Sequence, residues 1–314
     1  MNHLELWGGV ECTVNRVADR FFDQLEQTGH CARLNDIDRF SDLGLRTLRF
    51  PGLWERIAPD SLEACDWRWT DAALGRMRRL GMRPVVGFLH HGSGPRYTDL
   101  LDPGFAEKLA FFAGRFAERY PWVDAYTPVN EPLTTARFSG LYGHWYPHAR
   151  DTAGFLAVLL NECRGVVGAM RAVRRINKTA ELLQTEDLGL AMSTPGLAYQ
   201  ADFENERRWL TLDLLSGRVN GAHVLFDWIT GNGISRASLA WYERNACMPD
   251  VVGINHYVTS NRFLDERLSC YPPCSHGGTA RQPYADVEAI RVHEAPFVSP
   301  AQLLCAAWTR YGVP

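Results

Sequence analysis

An α/β fold built on a parallel sheet is predicted for this chain, with a closed barrel favoured over an open doubly wound sheet. Three observations carry that expectation. Short apolar runs alternate with longer amphipathic segments six times along the sequence. Each apolar run ends in polar residues, as in a barrel, which gathers its chemistry at the C-terminal ends of its strands. No GxGxxG turn follows the first apolar run, which removes the signature of a dinucleotide-binding sheet.

Taken in order, the first strand is expected at Leu4 to Val10, followed by a short helix at Leu34 to Leu43. Leu45 to Phe50 is the second strand, closed by Pro51 and Gly52. Asp71 to Leu80 reads as a helix stopped by Gly81, where glycine supplies the C-terminal cap. Arg83 to Leu89 is the third strand, and Gly104 to Tyr120 is a helix with apolar residues at 105, 109, 112, 116 and 117. The fourth strand, Val123 to Val129, must finish at Pro132, because proline has no N–H to give a ladder. Ala153 to Ile176 is a long helix, Ala180 to Thr185 the fifth strand, Phe203 to Leu215 a helix and Asp250 to Ile254 the sixth strand. Asp265 to Glu294 shows little periodicity and is expected to be a functional loop rather than a linker. Pro300 to Tyr311 is the last helix.

Of the 314 residues 46% are hydrophobic, which provides for the large core a barrel needs. A net charge of −3 gives no electrostatic case for nucleic acid or an acidic membrane surface. The eight cysteines are too scattered for a disulfide scaffold. Cys270 and Cys274, close to His276, lack a second pair at ligand spacing, so they read as free thiols and no metal is expected. The start, MNHLELWGG, lacks the basic segment and long apolar run of a secretory signal. No apolar run approaches the roughly 18 residues of a membrane span. A cytoplasmic chain with no cofactor is the expectation.

The chemistry centres on Trp122 to Pro147. There Asn130 and Glu131 stand side by side at a strand tip, ahead of Phe138, Tyr142, Trp145 and Tyr146. A carboxylic acid so placed can protonate a leaving oxygen, and aromatic faces can hold the apolar faces of a sugar. Alone, Asn130-Glu131-Pro132 is also what a capped strand end looks like. The other tips shift the reading toward function: Glu11 and Asn15, Arg49, His90 and His91, Glu186, and Asn255 with Tyr257.

LWGG near the start, LRTLRFPGLWERIAP, the strand before His90, TPVNEP and VVGINHYVTSNRF stand in the order seen in family 1 glycoside hydrolases. The chain resembles that β-glucosidase family from its first strand to its last residue. On WGGVECTVNR, HHGSGPR, QTEDLG and FENERRWL it resembles still more closely the glycosidase-like module found ahead of dTDP-4-dehydrorhamnose reductase domains. The resemblance implies a single (β/α)8 TIM-barrel domain, incomplete, with about six βα units within residues 1–314. It implies retaining hydrolysis of O-glycosyl compounds, with a small-molecule glycoside or sugar as ligand. Glu131 matches the general acid/base and Asn130 the residue that binds the sugar 2-hydroxyl. His90 matches a sugar contact, Arg49 a partner of the nucleophile, and Tyr257, beside Asn255, a hydrogen-bond donor to that nucleophile.

Some positions depart from the family pattern. Asn15 stands near a family glutamine, His91 at a tryptophan and His256 at a tyrosine. Glu11 and Glu186 are carboxylates the pattern does not contain, and Glu186 is expected to line the pocket, to cap or to be solvated. The family nucleophile follows a segment like RYGVP, which puts it beyond Pro314. By that resemblance the domain is expected to be truncated at its C-terminus and to have little or no activity alone, since retention needs two carboxylates. The competing expectation is a non-hydrolytic module that binds a sugar or nucleotide-sugar for a fused C-terminal reductase.

Overall fold

The computed structural model describes residues 4–314. Six strands form one sheet whose spatial order is the chain order: β1 (Trp7–Gly9), β2 (Thr47–Pro51), β3 (Arg83–His90), β4 (Ala125–Asn130), β5 (Glu181–Asp187) and β6 (Val251–Asn255). All neighbours run parallel. Chain-order parallel neighbours result when every crossover has the same hand and its helix returns on the same side. Strand residues therefore alternate between the sheet's inner face and its helix layer.

Val85, Ala125, Leu183 and Val251, one from each of β3 to β6, meet on the inner face. Val86, Phe88, Tyr126 and Leu182 point outward into the main core. There they meet α1 (Asp36–Asp42), α2 (Arg68–Arg79), α3 (Phe105–Arg119) and α4 (Thr152–Ile176). Phe88 packs edge-on against Phe112 and Phe116 of α3, at ring-centroid distances of 5.5 and 5.2 Å. The curled sheet is a partial barrel. Among the described residues β1 and β6 do not pair with each other; beyond β6 the ladder continues only in Val252 N–H donating to the Pro314 carbonyl at 2.7 Å.

Most expected elements stand within a few residues of their places, and four differ. The first strand is only Trp7–Gly9, with Leu4 and Leu6 of its apolar run exposed. Helix α2 begins a turn early, at Arg68, where Asp66 Oδ1 accepts the Arg68 N–H at 3.0 Å. The helix expected over Phe203 to Leu215 is two, α5 (Ala198–Arg207) and α6 (Leu210–Leu215). Two more helices, α7 (Phe226–Gly231) and α8 (Arg236–Arg244), occupy a stretch whose periodicity was too short to read.

The fourth difference concerns 265–294, which is not a structureless loop. His276–Gly278 and Pro283–Glu288 pair antiparallel, Pro283–Glu288 pairs with Arg262–Asp265, and that strand runs parallel to Ala191–Ser193. Phe263, Ala285 and Val287 of this side sheet bury themselves with Met192, Val298 and Leu303, the last from α9 (Pro300–Tyr311).

Helix α4 also corrects an expectation. By length and hydropathy it is long and apolar enough to cross a membrane. Its apolar side is instead packed in the core, where Gly165 and Gly168 let it lie close to Leu109 and Ala110 of α3.

Candidate active site

Pro132 ends β4, and Glu131 takes a left-handed φ of 47° at the turn. His91, at the end of β3, does the same with φ 57°. A non-glycine residue in that region costs on the order of 1–3 kcal/mol, a strain that clusters where side chains must be aimed. Two adjacent strand ends carry it here. Helical turns Pro132–Ala136 and Arg137–Leu141 follow.

Glu131 is 2% exposed. Asn255 Nδ2 donates to its Oε1, and His91 Nε2 lies 3.7 Å from its Oε2. Burial raises the Glu131 pKa above the ordinary carboxylate value, and the donation from Asn255 only partly offsets this. An acid held protonated at higher pH is suited to giving up a proton.

Asn130 is the hub. Its Oδ1 accepts from Arg49 Nη2 at 2.6 Å, from Thr185 Oγ1 at 2.8 Å and from Asn255 Nδ2 at 3.3 Å. Its Nδ2 lies 3.4 Å from Nε2 of both His90 and His91. With the oxygen saturated, Nδ2 is the atom that remains to be shared with a ligand hydroxyl. Burial, then the charge of His91, pushes the His90 pKa well down. Burial takes His91 to about 4, so both rings are neutral near pH 7. His91 Nδ1 is 3.1 Å from Thr135 Oγ1, and its ring faces Trp145 at 5.5 Å. Trp145 in turn stacks on Phe138 at 4.6 Å.

The structure thus brings together Glu131, Asn130, His90, Arg49 and Asn255. It treats the other candidates differently. Asn15 lies in the hairpin Val14–Val17/Arg20–Asp23 and makes no hydrogen bond to the cluster among the described residues. Glu11 is largely exposed at the mouth, 3.7 Å from His90 Nε2. Tyr257 is half exposed at the rim; its backbone N–H donates to Ser260 Oγ at 2.8 Å. Arg49, expected beside a carboxylate, gives its hydrogen bond to Asn130 instead.

Glu186 requires a correction. It does not line the pocket, because strand alternation turns Thr185 inward to Asn130 and Glu186 outward beneath the helices. There its Oε1 accepts the Leu133 N–H at 3.0 Å. The residue two on from Thr185, Asp187, faces the site and was missed. Its Oδ1 accepts from Ser260 Oγ at 2.5 Å, and burial, followed by the Glu131 charge, raises its pKa. Period-two counting from Thr185 would have found it. Glu55 was missed as well. Buried behind the His90-His91-Gly92 turn, it accepts the Gly94 N–H at 3.2 Å, and burial pushes its pKa to about 8. A side chain at Gly92 would collide with it, since a Cβ there lies 1.9 Å from Glu55 Oε1.

No protein-family model matches the chain. Solved structures do. A β-glucosidase from Thermotoga maritima in complex with deoxynojirimycin superposes with a TM-score of 0.71 at 16% identity, over 91% of this chain and 65% of that one. The family 1 β-glucosidase of the same organism gives 0.70 at 17% identity, over 90% of this chain and 65% of that one. The fold is glycosidase-like. This chain spans about 65% of the length of those barrels. At such identity the likeness extends to the fold alone. Within that glycosidase-like fold the clustered side chains sit where a barrel keeps its chemistry, at the C-terminal strand ends. A separate cavity of about 810 Å³ opens beside them, bordered by Leu133 and Asp187 but lined by neither Glu131 nor Asn130.

Proposed function

We propose that this chain carries the proton-donor part of a retaining β-glycosidase site, with Glu131 as general acid/base and a β-linked sugar as ligand. One observation carries the reading: a buried glutamic acid with a raised pKa stands among Asn130, Asn255, His90 and His91 at the mouth of a glycosidase-like half barrel. In this reading Asn130 Nδ2 meets the sugar 2-hydroxyl, a bond that strengthens as positive charge develops on the ring. His90 and Arg49 complete the polar wall.

A second reading, a sugar-binding module that hydrolyses nothing, is favoured by the second carboxylate. Retention needs one about 5–5.5 Å from the acid. Glu186 faces away, Glu11 is mostly in solvent, Asp187 is tied to the Ser260 hydroxyl, and Arg49 holds an amide rather than an acid.

The test is hydrolysis of 4-nitrophenyl β-glucoside by the full-length protein beside its Glu131→Gln variant. The first reading expects a loss of roughly 10²–10⁴-fold in kcat. Equal, measurable rates would remove Glu131 as the acid. No hydrolysis by either, with glucose binding abolished by Asn130→Ala, selects the binding module.

A further inference from the structure

The cavity of about 810 Å³ beside the Glu131 cluster has the charge of an anion site. Five arginines line it, at 137, 207, 208, 262 and 281, against three carboxylates, Asp187, Glu204 and Asp286. Arg207 pairs with Glu204, and Arg262 with Asp286 at 2.8 Å. Asp187 is held by the Ser260 hydroxyl. Arg137, Arg208 and Arg281 have no carboxylate partner among the described residues.

Each of the three has donors to spare. The Arg137 guanidinium donates only to the Tyr142 hydroxyl, at 3.1 and 3.3 Å. Arg208 gives one N–H to the Gly189 carbonyl, while its Nε is buried without an acceptor. Arg281 lies over the Tyr199 ring at 3.8 Å, and the buried Tyr199 hydroxyl also lacks a partner. Buried donors without acceptors cost on the order of 1–3 kcal/mol each, so a cavity lined by two residues that carry them calls for a ligand with acceptors. Guanidinium forks match phosphate oxygens in geometry as well as charge. The lining also carries aromatic rings, Phe203 and Trp228 edge to face at 5.1 Å, with Tyr142 and Tyr284 elsewhere on the wall. The volume is within the roughly 300–1,000 Å³ of small-ligand sites.

We propose that this cavity binds a phosphate ester whose organic part contains a ring. The phosphoryl group meets Arg137, Arg208 and Arg281, and the ring lies against Tyr199, Phe203 and Trp228. This site goes beyond glycoside hydrolysis and does not depend on Glu131.

Calorimetric titration of the 314-residue chain at low salt tests it, with inorganic phosphate, glucose 1-phosphate, uridine 5′-monophosphate, glucose and uridine as probes. At least one ester is expected to bind at least tenfold more tightly than both its uncharged counterpart and inorganic phosphate, and to weaken as salt rises. Which ester leads identifies the ring as sugar or base. Arg137→Gln and Arg281→Gln are each expected to weaken the better ester about tenfold. Arg281 is exposed, so its variant reads out binding even where Arg137→Gln misfolds. Glu131→Gln is expected to keep the ester affinity, which separates this site from the hydrolytic one. Failure of both esters to bind at millimolar concentration overturns the proposal. So do uncharged probes that bind as tightly as the esters, inorganic phosphate that matches them, or a folded Arg281→Gln that binds like the unaltered protein.

Discussion

Asn255, on β6, donates its side-chain amide to Oε1 of Glu131, which stands at the tip of β4 with β5 between them. The donation favours the charged carboxylate, while burial favours the neutral acid, and burial is the larger effect. Asn255 is thus a brake on the Glu131 pKa.

Replacing Asn255 by leucine removes that brake, so the Glu131 pKa is expected to rise further. The direct measurement is a ¹³C NMR titration of the glutamate side chains. In an active protein the same change appears on the alkaline limb of the pH–rate profile. A general acid works while protonated, so the limb moves to higher pH. An unmoved titration would show that burial alone sets this acid.

Glu162 and Glu186 are both fully buried, Glu162 on α4 and Glu186 on β5. Neither oxygen of Glu162 has a hydrogen-bond partner among the described residues. Burial first, and then the charge of Glu186, raises the Glu162 pKa well above the ordinary glutamate value. The sign follows from linkage. The folded pKa lies above the unfolded one, so this stabilisation is complete below the unfolded pKa and is lost as pH rises through the folded value. Glu55, at about 8, acts in the same sense. Glu162→Met, which leaves no charge to bury, is therefore expected to stabilise the fold by roughly 1–3 kcal/mol, and by more at pH 9 than at pH 5. Thermal melts at the two pH values measure it. An equal change at both would mean that the folded-state pKa of Glu162 is not raised above its unfolded value.

Much of this was legible in the sequence, for identifiable reasons. Asn130, Glu131, His90 and Asn255 all stand at the ends of apolar strands and Arg49 lies within one, and a parallel curled sheet brings such residues together. Glu186 was left open between lining and capping because a strand end was treated as a point, whereas the pleat continues through Glu186 to Asp187 and turns Glu186 to the Leu133 N–H. The side sheet was unreadable for another reason. Ala191–Ser193 meets Arg262–Asp265 across some seventy residues of chain, and the strands are only three and four residues long. The left-handed turn at Glu131 leaves no trace in composition, because glutamate is not among the residues that favour that region, glycine, asparagine, aspartate and histidine.

Gly189 stands between β5 and the Ala191–Ser193 strand of the side sheet, against the Ser260 backbone. A Cβ on it would lie 1.9 Å from the Ser260 carbonyl oxygen and 2.3 Å from the carbonyl carbon. Both atoms are backbone and cannot swing aside. Ser260 also donates to Asp187, and Gly189 and Ser260 both line the arginine-rich cavity. Gly189→Ala must push Ser260 away, so it is expected to cost roughly 1–3 kcal/mol, the range for overpacking a well-filled site. It should also deprive Asp187 of its donor and weaken phosphate-ester binding in the cavity. Gly221→Ala is the matched control, since nothing lies within 4 Å of its added Cβ. Urea unfolding of the two variants makes the comparison, because both add the same methyl group to the unfolded chain. If Gly189→Ala proves as mild as Gly221→Ala, the side sheet is free to shift against the barrel, and the cavity between them has no fixed shape.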